Sequence, residues 1–158
     1  MANTQSMCTS FLGELMTATH NFGASPIRAA STADTFKAAL YLASATINAS
    51  TTVYTATGEV TGTNYTAGGV TVTNATAPTS TNSSTTAGVG YWTPSASIVY
   101  TTVTLSTAFD TVLIYNSTQS NKAVSVHTFG SQTVTAGTFT LTMPSNTTST
   151  ALLRLATT

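Results

Sequence analysis

Two periodicities divide the chain. Near the start, Met7, Cys8, Phe11, Leu12, Leu15 and Met16 recur at three- and four-residue spacings, which places them on one face of a helix. Ser6 is a suitable N-cap, and Asn21 and Gly23 are suitable stop signals before the Ser25–Pro26 turn, so the spacing predicts a helix over 6–20. From Thr35 the period becomes two. Phe36, Ala38, Leu40 and Leu42 alternate with Lys37, Ala39 and Tyr41, as in a strand with two distinct faces. Residues 43–69 form a Thr/Ala/Gly stretch in which only short strands or a long excursion are expected, and Val70 and Val72 open another short strand. Residues 75–90 are small and polar, with Pro78, and predict an exposed loop.

The C-terminal half carries the clearest strand signals. Ser97–Leu105 is rich in β-branched residues, and Asp110–Asn116 and Lys122–Phe129 are separated by five residues, Ser117 to Asn121, which predicts a hairpin. Gly130 and Gly137 bracket a short piece around Val134; Thr138–Met143 alternates Phe139, Leu141 and Met143 with threonine until Pro144; and Ala151–Ala156 supplies a last strand. The pattern predicts a mainly β protein: a single β-sandwich of about seven or eight short strands over 25–158, preceded by an N-terminal arm and helix over 1–24.

Composition narrows the function. The chain has 158 residues, four basic and four acidic side chains and no net charge. Charged residues make up 5% of it, against roughly 25% in an average soluble domain. Arg28, Lys37, Lys122 and Arg154 are too few and too scattered to neutralise a row of phosphates, which argues against nucleic-acid binding. No apolar run is long enough to cross a bilayer as a helix, so no membrane partner is expected. The first residues lack a basic segment and carry Glu14 within their apolar part, unlike a secretory signal. The single cysteine, Cys8, has no intrachain disulfide partner. A neutral surface poor in charge opposes association only weakly, so the chain is expected to work inside an assembly and to form homo-oligomers.

Candidate chemistry is sparse. Glu14, Asp34, Glu59 and Asp110 are isolated from one another; Asp34 precedes a strand and Asp110 opens one, positions where turn or strand-end duty is the ordinary role. His20 ends the predicted helix and His127 lies in a strand beside Phe129, and neither forms a ligand-pair spacing with the other or with Cys8. No nucleophile elbow or phosphate-binding glycine motif occurs. No catalytic residue, metal site or cofactor is expected. Six asparagines, including Asn48 and Asn116, sit in glycosylation triplets, a consequence of abundant Thr and Ser. Tyr91 and Trp92 are a candidate sugar-stacking pair, with a core anchor as the commoner role for a lone tryptophan. Phe11, Leu12, Leu15 and Met16 are a candidate interface, because the other side of their helix offers solvent only Glu14 among small uncharged residues.

Taken together, MANTQSMCTSFLGELMTATHNF, DTFKAALY, GEVTGTNYTAGG, YWTPSASIVYTTVTLSTAFDTVLIYNSTQSNKAV and FGSQTVTAGTFTLTMP resemble a family of small virion structural proteins of tailed bacteriophages. The resemblance implies a particle component without catalytic residues, made in the bacterial host cytoplasm. The expected role is that of a capsid decoration or cement protein holding major capsid subunits. A tail, baseplate or fibre component is the alternative, and a carbohydrate-binding module or adhesin is the alternative of another class.

Overall fold

Runs of Thr, Val, Tyr and Phe, which fit a pleated and half-buried surface, build a mainly β structure. The computed structural model describes residues 3–16, 19–22, 33–73, 78–81 and 88–156. In chain order its elements are β1 (Ser6–Met7), α1 (Thr9–Met16), β2 (Phe36–Leu42), β3 (Val70–Thr71), β4 (Thr79–Ser80), β5 (Val89–Trp92), β6 (Ile98–Asn116), β7 (Lys122–Leu141) and β8 (Leu153–Ala156). They form two antiparallel sheets, one in the order β1-β7-β6-β2-β3 and a smaller one in the order β4-β5-β8.

The β6–β7 hairpin is the largest piece. Its turn is set by Asn116, whose side-chain oxygen accepts hydrogen bonds from the Thr118 and Gln119 amides, both at 3.1 Å. Ser120 and Asn121 then take left-handed backbone angles, a conformation that Asn tolerates better than most residues. The segments expected as separate strands are continuous. Ser97–Leu105, apart from Ser97 itself, and Asp110–Asn116 belong to one strand, β6, while Lys122–Phe129, the piece around Val134 and most of Thr138–Met143 belong to β7. The polar runs 106–108 and 130–133 resemble breaks because their side chains face solvent. They nevertheless lie within β6 and β7; of these residues only Gln132 keeps a cross-strand partner, Phe109, and the register shifts on either side of that pair.

Those shifts bend the ribbon. Phe129 and Phe139 lie ten positions apart on β7, a separation of about 33 Å in a straight strand, yet their ring centroids are 5.3 Å apart. Phe109 of β6 packs against both, at 6.0 and 5.0 Å. The hairpin therefore folds back on itself. Its distal arm lies across β2, where the Tyr100 hydroxyl donates to the Ala38 carbonyl at 2.8 Å, and the Thr104 amide donates to Thr63 at 3.1 Å.

This overlay explains the burial of β6. Val112 and Ile114 are enclosed, as are Val124 and Val126 of β7, in keeping with the hydrophobic pattern; Leu113 and Tyr115, on the opposite face, are enclosed as well. Trp92 of β5 links the small sheet to the large one, with Phe22 at 4.8 Å and Phe36 at 6.1 Å.

The N-terminal segment differs from the expected helix over 6–20. Ser6 and Met7 pair with Val126 and Ser125 of β7, and the Cys8 amide donates to the Val124 carbonyl at 3.1 Å. An exposed strand edge offers main-chain partners that a helix start lacks, so α1 begins only at Thr9. Residues 17–18 and 23–32, including the Ser25–Pro26 turn, lie outside the described residues, as does most of the expected loop at 75–90.

Gly69 shows how closely the layers approach. Its φ is +70°, and a Cβ there would lie 1.7 Å from the Ala38 carbonyl oxygen. Gly69→Ala is expected to cost on the order of 3 kcal/mol or more, through left-handed strain and backbone collision. Gly130, with no atom within 4 Å of an added Cβ, should accept Ala within about 0.5 kcal/mol. Denaturant unfolding of both variants checks the contrast.

Candidate functional site

An apolar groove opens where α1 faces β5 and β8. Its volume is about 140 Å³, and Phe11, Leu15, Tyr91, Trp92, Leu153 and Leu155 contribute to its walls. Two sets of residues singled out separately in the sequence therefore meet. Phe11 is almost fully enclosed and makes edge contacts with His20 at 4.9 Å and Phe22 at 5.9 Å. Leu15 is half-buried. The side chains of Leu12 and Met16 lie outside the described residues. Trp92 is only 2% exposed, so its indole packs inside the protein and presents no open face to a sugar; Tyr91 beside it is half-buried. Leu155 is 45% exposed at the groove. Such a surface suits an apolar side chain from another molecule.

Beneath α1 runs a polar chain that the sequence did not suggest. Glu14 accepts from Lys122 Nζ and from His20 Nε2, each at 2.7 Å. Asn116 Nδ2 lies 3.0 Å from His20 Nδ1 and 2.8 Å from Asp34 Oδ2. Because the Asn116 oxygen is committed to the hairpin turn, its NH2 must face the histidine. His20 Nδ1 is then the acceptor and Nε2 carries the proton, the neutral tautomer. Burial, its largest influence, lowers the His20 pKa against the pull of Glu14. For Glu14, burial alone would raise the carboxyl; hydrogen bonds from Lys122 and His20 outweigh it and bring the pKa below the ordinary value. Asp34 also accepts the Asn21 amide at 2.8 Å, tying the segment after α1 to the start of β2.

A second buried carboxylate organises the other side of the molecule. Glu59 accepts from Tyr54 at 2.6 Å, Tyr65 at 2.8 Å and the Gly68 amide at 2.7 Å. Tyr54 stacks on Tyr115 at 4.8 Å and Tyr65 on Tyr100 at 6.0 Å, while Tyr41 pairs with Glu59 through the backbone. Five of the six tyrosines thus surround one anion. Burial first, and then the Glu59 charge, raise the Tyr100 phenol, and the same causes push Tyr115 up to about 12. The only sequence signal was a lone acid among tyrosines spread along the chain.

Other nucleophilic groups are withdrawn. Ser125 Oγ and His127 Nε2 are 2.9 Å apart, but Ser125 is 1% exposed, and burial lowers His127 to about 4. Burial, then Glu14, push the Cys8 thiol up to about 11, so it stays protonated at neutral pH. Among the described residues, no three His, Cys, Asp or Glu side chains come together to hold a metal ion.

Two outcomes follow from this geometry. Tyr65→Phe should cost about 1.5–3 kcal/mol in denaturant unfolding, because it removes a hydrogen bond to a buried carboxylate and leaves the Leu40 amide without its 3.0 Å acceptor. The histidines set a pH dependence. Both have pKa values lowered on folding, so the unfolded chain takes up their protons first. Their stabilisation is full above about pH 6.5 and declines as the pH falls through the folded-state values. Unfolding measured from pH 7.5 to pH 5 should show this decline, and His20→Gln and His127→Gln should each flatten it.

No protein family, curated protein or solved structure matches the chain.

Proposed function

We propose that the protein is a structural subunit of a tailed-bacteriophage virion, a capsid decoration or cement protein that seats the α1–β5–β8 groove on a major capsid subunit. The observation that carries this reading is where the charge goes. Asp34 and Glu59 are buried, Glu14, Lys37, Asp110 and Lys122 are partly buried, and Arg154 is the only exposed charged side chain among the described residues. A surface so nearly neutral offers little electrostatic resistance to close packing against neighbours, and symmetric repetition multiplies weak contacts.

The groove supplies the apolar anchor for such a contact, with α1 as its N-terminal wall. The two sheets close over the aromatic cluster of Phe22, Phe36 and Trp92 as one sandwich, which makes the groove a fixed feature rather than a loop. The protein is made in the host cytoplasm and acts in the particle without cofactor or catalysis. A place in the tail, baseplate or a fibre rests on the same chemistry, and copy number relative to the major capsid protein separates it from the shell. The glycan-binding alternative finds less support, because Trp92, although it lines the groove, is enclosed and offers no open ring face for stacking.

Leu155→Glu places a charge in the groove at an exposed position and leaves the core intact. Losing the burial of one leucine, about 1.5–3 kcal/mol, corresponds to about tenfold or more in affinity. Particles assembled with this variant should carry about tenfold fewer copies, read by quantitative mass spectrometry. Incorporation at the unmodified level would remove the groove from the contact.

A further inference from the structure

The outer edge of β7 is covered at its start and bare beyond. The Tyr54 amide donates to the Asn121 carbonyl just before the strand and the Ala123 amide to the Thr52 carbonyl, both at 2.9 Å. β1 and Cys8 cover 124–126, and the Gln5 side chain reaches Thr128 at 3.3 Å. From Phe129 to Leu141 no strand among the described residues lies outside it.

A long exposed edge is normally protected by charge, proline or a covering segment. Here no charged residue occurs between Ala123 and Leu153, and the first proline is Pro144. The last left-handed residue on β7 is Ala136, with φ 45°, and the one register shift beyond it, opposite Gly137–Phe139, places its extra residue on β6. Beyond Ala136, Gly137–Leu141 runs extended, with Thr138 and Thr140 exposed and Phe139 and Leu141 half-buried. One strand inward, Val99 is paired with Thr140 and is 40% exposed, an apolar foothold beside the free main-chain groups.

We infer that the Gly137–Leu141 edge pairs antiparallel with the same edge of a second copy of this chain. Antiparallel pairing about a twofold axis is self-complementary: each N–H meets a C=O of the other copy. A charge on such an edge would face a like charge across or diagonal to it. The absence of any charge here therefore fits a copy of the chain rather than a partner selected by opposite charge. With the axis at Phe139, Thr138 of one copy faces Thr140 of the other. This inference stands on the sheet edge and is independent of the virion reading.

Sedimentation velocity over a concentration series tests it with the full chain and two double variants, Thr138→Lys with Thr140→Lys and Thr138→Glu with Thr140→Glu. The unmodified chain should pass from 16.1 kDa to twice that mass as concentration rises. Each double variant should stay monomeric, and an equal mixture of the two should regain the dimer, which also shows that both are folded. A monomeric unmodified chain at every concentration overturns the inference. So does a double variant that dimerises like the unmodified chain, or a mixture that stays monomeric while both variants keep native circular dichroism.

Discussion

A carboxylate enclosed in protein must find donors or lose its charge, and Glu59, at 7% exposure, finds three in Tyr54, Tyr65 and the Gly68 amide. Much of the architecture follows from meeting that demand. Tyr65 also accepts the Leu40 amide of β2 and stacks on Tyr100 of the distal hairpin arm; Tyr54 stacks on Tyr115 at the hairpin's base; and Tyr115 donates to the Gly68 carbonyl at 2.8 Å. One anion thus fixes a segment with only isolated bridges, 43–69, onto β2 and both halves of β6. The folded-back ribbon needs such a tie, because its own turn regions are bulged and polar.

The elements legible in the sequence were those built from runs of apolar and β-branched residues between turn signals. β2, the hairpin closed at 117–121 and the Leu153–Ala156 strand have this property, and Val112, Ile114, Val124 and Val126 are enclosed. The continuity of β6 and β7 was not legible, because Ser106–Ala108 and Gly130–Thr133 are exposed and mostly unpaired at the register shifts, while Phe109↔Gln132 carries the pairing through. The start of α1 was missed for a related reason. Ser6 and Met7 fit a helical period, but the open edge of β7 competes for their backbone groups, and no local pattern reports a partner more than a hundred residues away.

The polar interior was the least visible part. Glu59 sits among small residues where an acid ordinarily serves a turn, and its donors come from tyrosines distant in sequence. His20 looked like a helix terminus but is the link between Glu14 and Asn116. The same economy shapes the outside. Placing several of the few charges in internal networks leaves, among the described residues, Arg154 as the one exposed charged side chain, an apolar groove at α1 and a bare edge on β7. All three favour contact with other protein surfaces, the basis for reading the molecule as a part of an assembly.

Hydrogen exchange at the Gly68 amide reads the strength of the Glu59 tie. This group lies in a turn outside any strand and is held by Glu59 alone among the bonds seen for it. If the buried carboxylate ties the layers together, the Gly68 amide should exchange only through global unfolding, as slowly as the amide of Leu113 in the middle of β6. Exchange at the rate of an open loop would mean that Glu59 does not hold the layers together.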